Sequence, residues 1–267
     1  MTNQQEKDIT RRMSENIAGK FSYLASQLPG MKVKHLNGLQ YVDCGRQSDT
    51  FNTVLGTPAS TDDIAQITRY YQQMNRPAAW WFSEPTTAYA QALRQAGWEH
   101  EENEVGMHLS LTSQLQTKSD TVLSRIEYCD SLSHFQDFGR VLSAIFEPGN
   151  TVEAENIRAI YQQAGEHSAS LDDRLIQLVG YFDDQPVSTA TLYFHHNIAG
   201  VFDIATPECW RRRGFGSEIF YQALRVAQQK KATACVLQAS PDGLNIYKKA
   251  GFITAGNFEV WNLPQSN

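Results

Sequence analysis

The run Arg211-Arg212-Arg213-Gly214-Phe215-Gly216-Ser217 stands between a strand-like stretch, Val201-Phe202-Asp203-Ile204-Ala205-Thr206, and a helix-like one. Glycine at 214 and 216 lets the main chain turn tightly and approach a ligand with no Cβ in the way. A helix that follows offers unsatisfied N-terminal amides and the positive end of its dipole to an anion. The three arginines add charge that reaches outlying phosphates. A pyrophosphate-bearing ligand suits this set, and so does the plainer reading of a turn beside a solvated basic surface. Two nucleotide motifs are excluded. A P-loop ends in Gly-Lys-Ser/Thr where this chain has Gly216-Ser217-Glu218, and a dinucleotide fingerprint needs a third glycine where Ile219 stands.

A second run, Leu237-Gln238-Ala239-Ser240-Pro241-Asp242-Gly243-Leu244-Asn245-Ile246-Tyr247, closes with Gly251-Phe252. On spacing alone Tyr247 reads as an amphipathic core residue. Proton acceptors near the first run are Asp203 on the strand entering it, His195-His196 at the end of the strand before, and Glu147 between two helices. For each of these a surface or core role is the simpler reading. The four cysteines, Cys44, Cys129, Cys209 and Cys235, are scattered with no metal-binding spacing, so buried free thiols and no metal site are expected. They also give no positioned Cys–His pair for a covalent acyl-enzyme.

The elements that must position these residues follow from periodicity. In the first part a helical pattern over residues 14–28 stops at Pro29-Gly30, and strands are expected at 38–44 and 51–56. Ser60-Thr61-Asp62-Asp63 carries a capping signal for the next helix. A strand at 78–82, a helix opening at Pro85-Thr86-Thr87 and ending at Ala96-Gly97-Trp98, and a strand at 105–111 complete this part. Residues 112–120, rich in Ser, Thr and Gln, read as a linker. Beyond it come a strand at 122–128, helices at 132–146 and 152–164, and strands at 175–182, 187–194 and 199–205. Phe215, Ile219, Ala223 and Ala227 then form one helical stripe, as on a helix lying on a sheet. A strand at 234–239 and a helix begun by Ser240-Pro241 and stopped at Gly251 follow. One echo joins the two parts: Leu93-Arg94-Gln95-Ala96-Gly97-Trp98 matches Tyr247-Lys248-Lys249-Ala250-Gly251-Phe252, each followed by Glu-Val. Two related halves are expected, 1–117 and 121–267.

Composition bounds the rest. The 267 residues suffice for one large domain or two ordinary ones, and 41% hydrophobic content with 13 Phe supports a packed core. A net charge of −6 argues against general nucleic-acid or membrane-surface binding and makes the arginine triplet a local exception. The start of the chain is polar and no run approaches a membrane span, so a soluble cytoplasmic protein is expected.

The second half resembles the GNAT superfamily of N-acetyltransferases. The resemblance rests on Arg211, Gly214 and Gly216 as Arg-x-x-Gly-x-Gly after a strand, and on the 237–247 run with Gly251-Phe252, in the expected order. It covers a little over half the chain. It implies an α/β fold, a mixed, mostly antiparallel sheet flanked by helices, with acetyl-CoA as acyl donor and an amine as acceptor. The resemblance assigns the pyrophosphate to residues 211–217 (Arg211, Arg212, Arg213, Gly214, Phe215, Gly216 and Ser217), with Arg212 and Arg213 near phosphates. It lays the pantetheine arm along Ile204, Ala205 and Thr206, where a backbone N–H would face the thioester oxygen. Tyr247 would protonate the leaving thiolate as general acid. A small-molecule or peptide amine would attack directly in a ternary complex. The first half resembles a degenerate copy with Leu93 in place of Tyr247. No such glycine loop precedes its helix opened by Pro85-Thr86-Thr87, so it is expected to extend the sheet, cover an edge or shape the acceptor pocket. A non-catalytic module that binds coenzyme A as a regulatory ligand is the alternative.

Overall fold

The computed structural model describes residues 3–83, 87–111, 121–240 and 243–265. The expected linker at 112–120, the helix start at Pro85-Thr86 and the Pro241-Asp242 pair lie outside them. The elements run in the order α1 (Asn3–Gln27), β1 (Lys32–Leu36), β2 (Leu39–Asp43), β3 (Thr53–Leu55), α2 (Thr61–Gln73), β4 (Ala78–Ser83), α3 (Thr87–Gln95) and β5 (Glu99–Ser110). After these come β6 (Arg125–Tyr128), α4 (Leu132–Ser143), α5 (Thr151–Glu166), β7 (Leu175–Phe182), β8 (Gln185–His195), β9 (Ile198–Ala205), α6 (Phe215–Gln229), β10 (Ala234–Ala239), α7 (Leu244–Lys249) and β11 (Ile253–Leu263). The fold is α/β, with mixed, mostly antiparallel sheet flanked by helices, as the resemblance implies.

A single topology occurs twice. Strands β1, β2 and β3 pair antiparallel, α2 crosses over to β4 parallel to β3, and α3 and β5 follow. Strands β7, β8 and β9 pair antiparallel, α6 crosses over to β10 parallel to β9, and α7 and β11 follow. A parallel pair needs such a crossover, and a helix is its usual form. The halves are therefore tandem in topology.

Packing groups the strands differently from chain order. One compact unit comprises Met1–Met107, Gln238–Leu244 and Thr254–Asn267, and the other comprises His108–Leu237 and Asn245–Ile253. In the first unit, β11 pairs antiparallel with β4 from Phe258↔Ser83 to Leu263↔Ala78. Its core holds Trp80, Trp98 and Trp261, with Trp98 Nε1 donating to Thr68 Oγ1 at 2.8 Å. The first helix starts at Asn3, eleven residues before its apolar pattern begins at residue 14. Its opening turns carry ion pairs from Arg11 to Asp8 and Glu15 and from Arg12 to Asp8, and local pairs of this kind support a helix that a hydrophobic stripe does not announce. Strand β1 is absent from the sequence reading because its Lys-Val-Lys-His pattern is too polar to signal.

In the second unit, α4 and α5 pack on each other and α4 lies on β7, β8 and β9. The predicted α6 stripe is buried in full: Phe215, Ile219, Ala223 and Ala227 are at most 2% exposed. Among the described residues no helix is long and apolar enough to cross a membrane.

Candidate active site

The glycine loop lies where β9 hands the chain to α6. Residues Glu208–Trp210 form one 3-10 turn, Arg212 takes φ +61°, and Gly214 stands at the helix N-cap with φ +90° and ψ −11°. Among the described residues no side chain caps α6. Its first amides are therefore left to a ligand or to water. A Cβ on Gly216 would stand 3.1 Å from Thr206 Oγ1, and that hydroxyl is buried with no hydrogen-bond partner among the described residues. A bare helix head, two glycines and an orphaned hydroxyl are the features a phosphate-bearing ligand would satisfy.

Beside this head the sheet opens. Strands β9 and β10 pair only at Ile198↔Ala234, Ala199↔Cys235 and Gly200↔Val236 among the described residues, although β9 runs on to Ala205. On its other edge β9 bulges. Thr189 faces Ala205 and Thr191 faces Phe202, so two residues, Asp203 and Ile204, oppose Ala190 alone. Asp203 adopts φ +51°, and its carbonyl accepts from Thr189 Oγ1 at 2.9 Å. A bulge bends its strand and disrupts the ladder locally. Residues 204–206 thus bring main-chain groups without a β10 partner to the mouth of the glycine loop, where a ligand's own amides can pair with them.

The three arginines differ in use. Arg211 Nε donates to the Thr206 carbonyl at 3.1 Å and fastens the turn onto the strand end. The Arg213 guanidinium lies 4.8 Å from the Trp210 ring centre, 4.8 Å from Phe182 and 5.1 Å from Phe215. Cation–π contact with three rings gives it a structural partner in the free protein, a role its place in a basic triplet did not signal. Arg212 is exposed at the left-handed turn.

Tyr247 is half-buried on α7, its ring 5.1 Å from Phe220 of α6 and 6.2 Å from Phe252. The aromatic contacts bind α7 to α6 and so carry the phenol with the helix whose head forms the loop. Two of the proton-acceptor candidates sit elsewhere. His195 pairs with Ile198 at the closed end of the β8–β9 hairpin, six residues from Thr189, which is about 20 Å along a strand. The neighbouring His196 ring lies tilted against it, 4.3 Å between centres. Glu147 is exposed and paired with Arg158 Nη1 at 2.8 Å. Asp203 is next to the 204–206 segment. Burial first, and then the Asp203 carboxylate, push the Tyr161 hydroxyl well above the usual phenol range.

The head of α2 holds the position in the first half that α6 holds in the second, and it is the helix to compare with the glycine loop. Helix α3 corresponds instead to α7. The α2 head is closed by its own side chains. Ser60 Oγ accepts from Asp63 N at 3.4 Å, and Asp63 Oδ2 accepts from the N–H groups of Ala59 and Ser60, each at 2.9 Å. Its other oxygen accepts from Asn37 Nδ2 at 2.8 Å. This capping box, signalled by the Ser-Thr-Asp-Asp run, places a carboxylate where the other half leaves its amides bare.

Residues 140–252 match the model of the acetyltransferase (GNAT) family. The second half of this chain thus carries a GNAT domain. Over nearly its whole length the chain is similar in fold to a GCN5-related N-acetyltransferase from Kribbella flavida, at 13% identity and a TM-score of 0.64, covering 97% of this chain and 96% of that one. It is similar to a tandem GNAT protein from the clavulanic acid biosynthesis pathway, at 8% identity and a TM-score of 0.55, covering 93% and 88%. A conserved protein of unknown function from Staphylococcus epidermidis matches at 18% identity and a TM-score of 0.57, covering 82% and 87%. At these identities the likeness is one of fold. No curated protein matches the chain in sequence.

Proposed function

We propose that the chain is an acetyl-CoA-dependent N-acetyltransferase whose second half does the chemistry. The observation that carries this reading is the uncapped head of α6 behind Gly214, set at the mouth of the parting between β9 and β10. The pyrophosphate would rest on the amides of residues 214–217, with Arg211 and Arg212 beside it. Arg213 would support the loop from its ring cage. The pantetheine arm would run along Ile204, Ala205 and Thr206, and a backbone N–H there would meet the thioester oxygen as it gains charge.

The amine of a small molecule or peptide would attack the thioester carbon directly, forming the C–N bond as the C–S bond breaks. Tyr247 would give its hydroxyl proton to the leaving thiolate, and Asp203, beside the 204–206 segment, would be the candidate to take the proton the amine loses. A covalent acyl-cysteine finds little support at Cys129 and Cys235, since burial pushes their thiols above the usual range and so keeps them protonated, while Cys209 is the exposed thiol. The first half, with Leu93 buried at 0% exposure and the α2 head filled by Asp63, is read as a degenerate copy that binds no coenzyme. The repeat boundary, 1–117 and 121–267, belongs to the same proposal, as does a cytoplasmic setting for a chain whose four cysteines are free.

Calorimetric titration with acetyl-CoA, followed by an amine panel with detection of released thiol, tests the proposal. One coenzyme per chain and amine-stimulated thiol release are expected. No binding at high micromolar acetyl-CoA would overturn it, and binding without any stimulated release would leave a coenzyme-binding module instead of an enzyme.

A further inference from the structure

The glycine loop is clasped from below by a segment no motif includes. Glu218 lies in the first turn of α6, is 7% exposed, and donates its own N–H to the Gly214 carbonyl at 3.0 Å. One of its carboxylate oxygens, Oε2, accepts both from Val122 N at 2.8 Å and from Leu123 N at 2.7 Å. The next residue, Ser124, donates its N–H to the Tyr181 carbonyl at 2.8 Å and so anchors the segment to β7. The Val122 side chain reaches the loop itself, since a Cβ on Gly214 would stand 3.3 Å from Val122 Cγ2. Chain segment, carboxylate and N-cap glycine form one closed contact.

We propose that residues 122–123 are a strap that sets the conformation of the coenzyme loop, with Glu218 as the positioning residue that holds it. The inference rests on the coenzyme reading of that loop. A carboxylate one turn from an anion site is unfavourable on charge alone, because it opposes a phosphate. Two backbone N–H groups on a single buried oxygen compensate that charge and turn it into a fastener, since charge-assisted hydrogen bonds are short and strong. A loop that must present several amides in one geometry loses affinity when it is free to move, because ordering it is then subtracted from binding.

The sign of one substitution separates fastening from repulsion. Glu218→Gln removes a negative charge beside the phosphates, so repulsion alone predicts tighter binding of acetyl-CoA. The strap predicts the reverse, weaker binding by about tenfold because a neutral amide oxygen holds the same two N–H groups less strongly than a carboxylate does, seen in KM more than in kcat. Val122→Pro deletes one donor without touching α6 and should weaken binding in the same direction. Both variants and the wild-type chain are titrated with acetyl-CoA and compared by amide hydrogen exchange at residues 214–217. Weaker binding with faster exchange in both variants supports the strap. Unchanged or tighter binding with a lower melting temperature overturns it, leaving Glu218 a fold fastener only. If the wild-type chain fails to bind acetyl-CoA the functional reading falls, and unchanged exchange in the variants would separately overturn the strap.

Discussion

The backbone N–H of Phe252 donates to the carbonyl of Tyr247 at 3.0 Å, closing α7 around Gly251 with φ +94°. The same closure ends α3, where Trp98 donates to Leu93 at 2.9 Å around Gly97 with φ +91°. In both, the glycine N–H bonds back three residues, to Lys248 and to Arg94. This is the double hydrogen bond of a helix that ends in a left-handed glycine. One backbone device thus places a half-buried tyrosine in one half and a fully buried leucine in the other. The two halves share their scaffold and differ in what it presents.

Tyr247→Phe keeps the ring contacts with Phe220 and Phe252 and removes only the hydroxyl. Turnover should fall by about 100-fold while acetyl-CoA affinity stays within about twofold, the mark of a group that acts in the transition state. Steady-state kinetics with calorimetry across pH checks this. An unchanged rate at every pH would remove the general-acid assignment.

Gly214→Val meets two obstacles, a positive φ that β-branched residues avoid and Val122 Cγ2 at 3.3 Å from the new Cβ. Coenzyme binding should be lost, with a stability cost of about 1–3 kcal/mol. The pairing of calorimetry with thermal melting distinguishes a lost site from a lost fold.

Asp63→Ala strips the α2 head of its internal acceptor. Stability should drop by about 1–2 kcal/mol, since a cap and a buried hydrogen-bond network go together. The Asn37 amide, helped by the Ala59 and Ser60 N–H groups, holds the Asp63 carboxyl below its ordinary range. Its contribution is therefore complete above the unfolded-state value, about 4, and is lost as the pH falls below that. Melting temperatures from pH 7 down to pH 3 should show the wild-type chain losing stability that the variant never had.

Glu104 gives a pH dependence of opposite sign. Burial first, then Glu102 and Glu101, raises its carboxyl to about 8 against the opposing pull of Lys20. The folded chain then holds a proton that the unfolded chain releases near pH 4, so stability declines as the pH rises from about 4 to 8 and levels off above. Glu104→Gln should flatten that decline and raise the melting temperature at pH 8 relative to the wild-type chain. A wild-type melting curve with no slope in this range would contradict it.

Much of the fold was legible because its signals are local. The α6 stripe, the Ser60–Asp63 cap and the glycine stops at 97 and 251 each depend on residues within one or two turns, and each stands where periodicity and turn chemistry put it. The opening turns of α1 and strand β1 were not legible, since neither carries an apolar pattern. The correspondence of α2 with α6 was missed for another reason. The sequence echo lies at the ends of α3 and α7, and only strand pairing shows which helix crosses between parallel strands.

By itself the sequence determined that residues 211–217 turn tightly into a helix, that the second half carries the GNAT motifs, and that Gly251 stops the helix that carries Tyr247. Only the tertiary structure decided which helix head remains open. Among the described residues no side chain fills the α6 amides, Gly214 having none to offer, whereas at the α2 head Ser60 Oγ takes the Asp63 N–H and Asp63, held by Asn37 from the β1–β2 turn, takes those of Ala59 and Ser60. The parting of β9 from β10, the ring cage on Arg213 and the grip of Glu218 on residues 122–123 likewise arise between residues far apart in the chain. Local propensity sets what each segment becomes, but the occupancy of a hydrogen-bonding group depends on what folding brings against it.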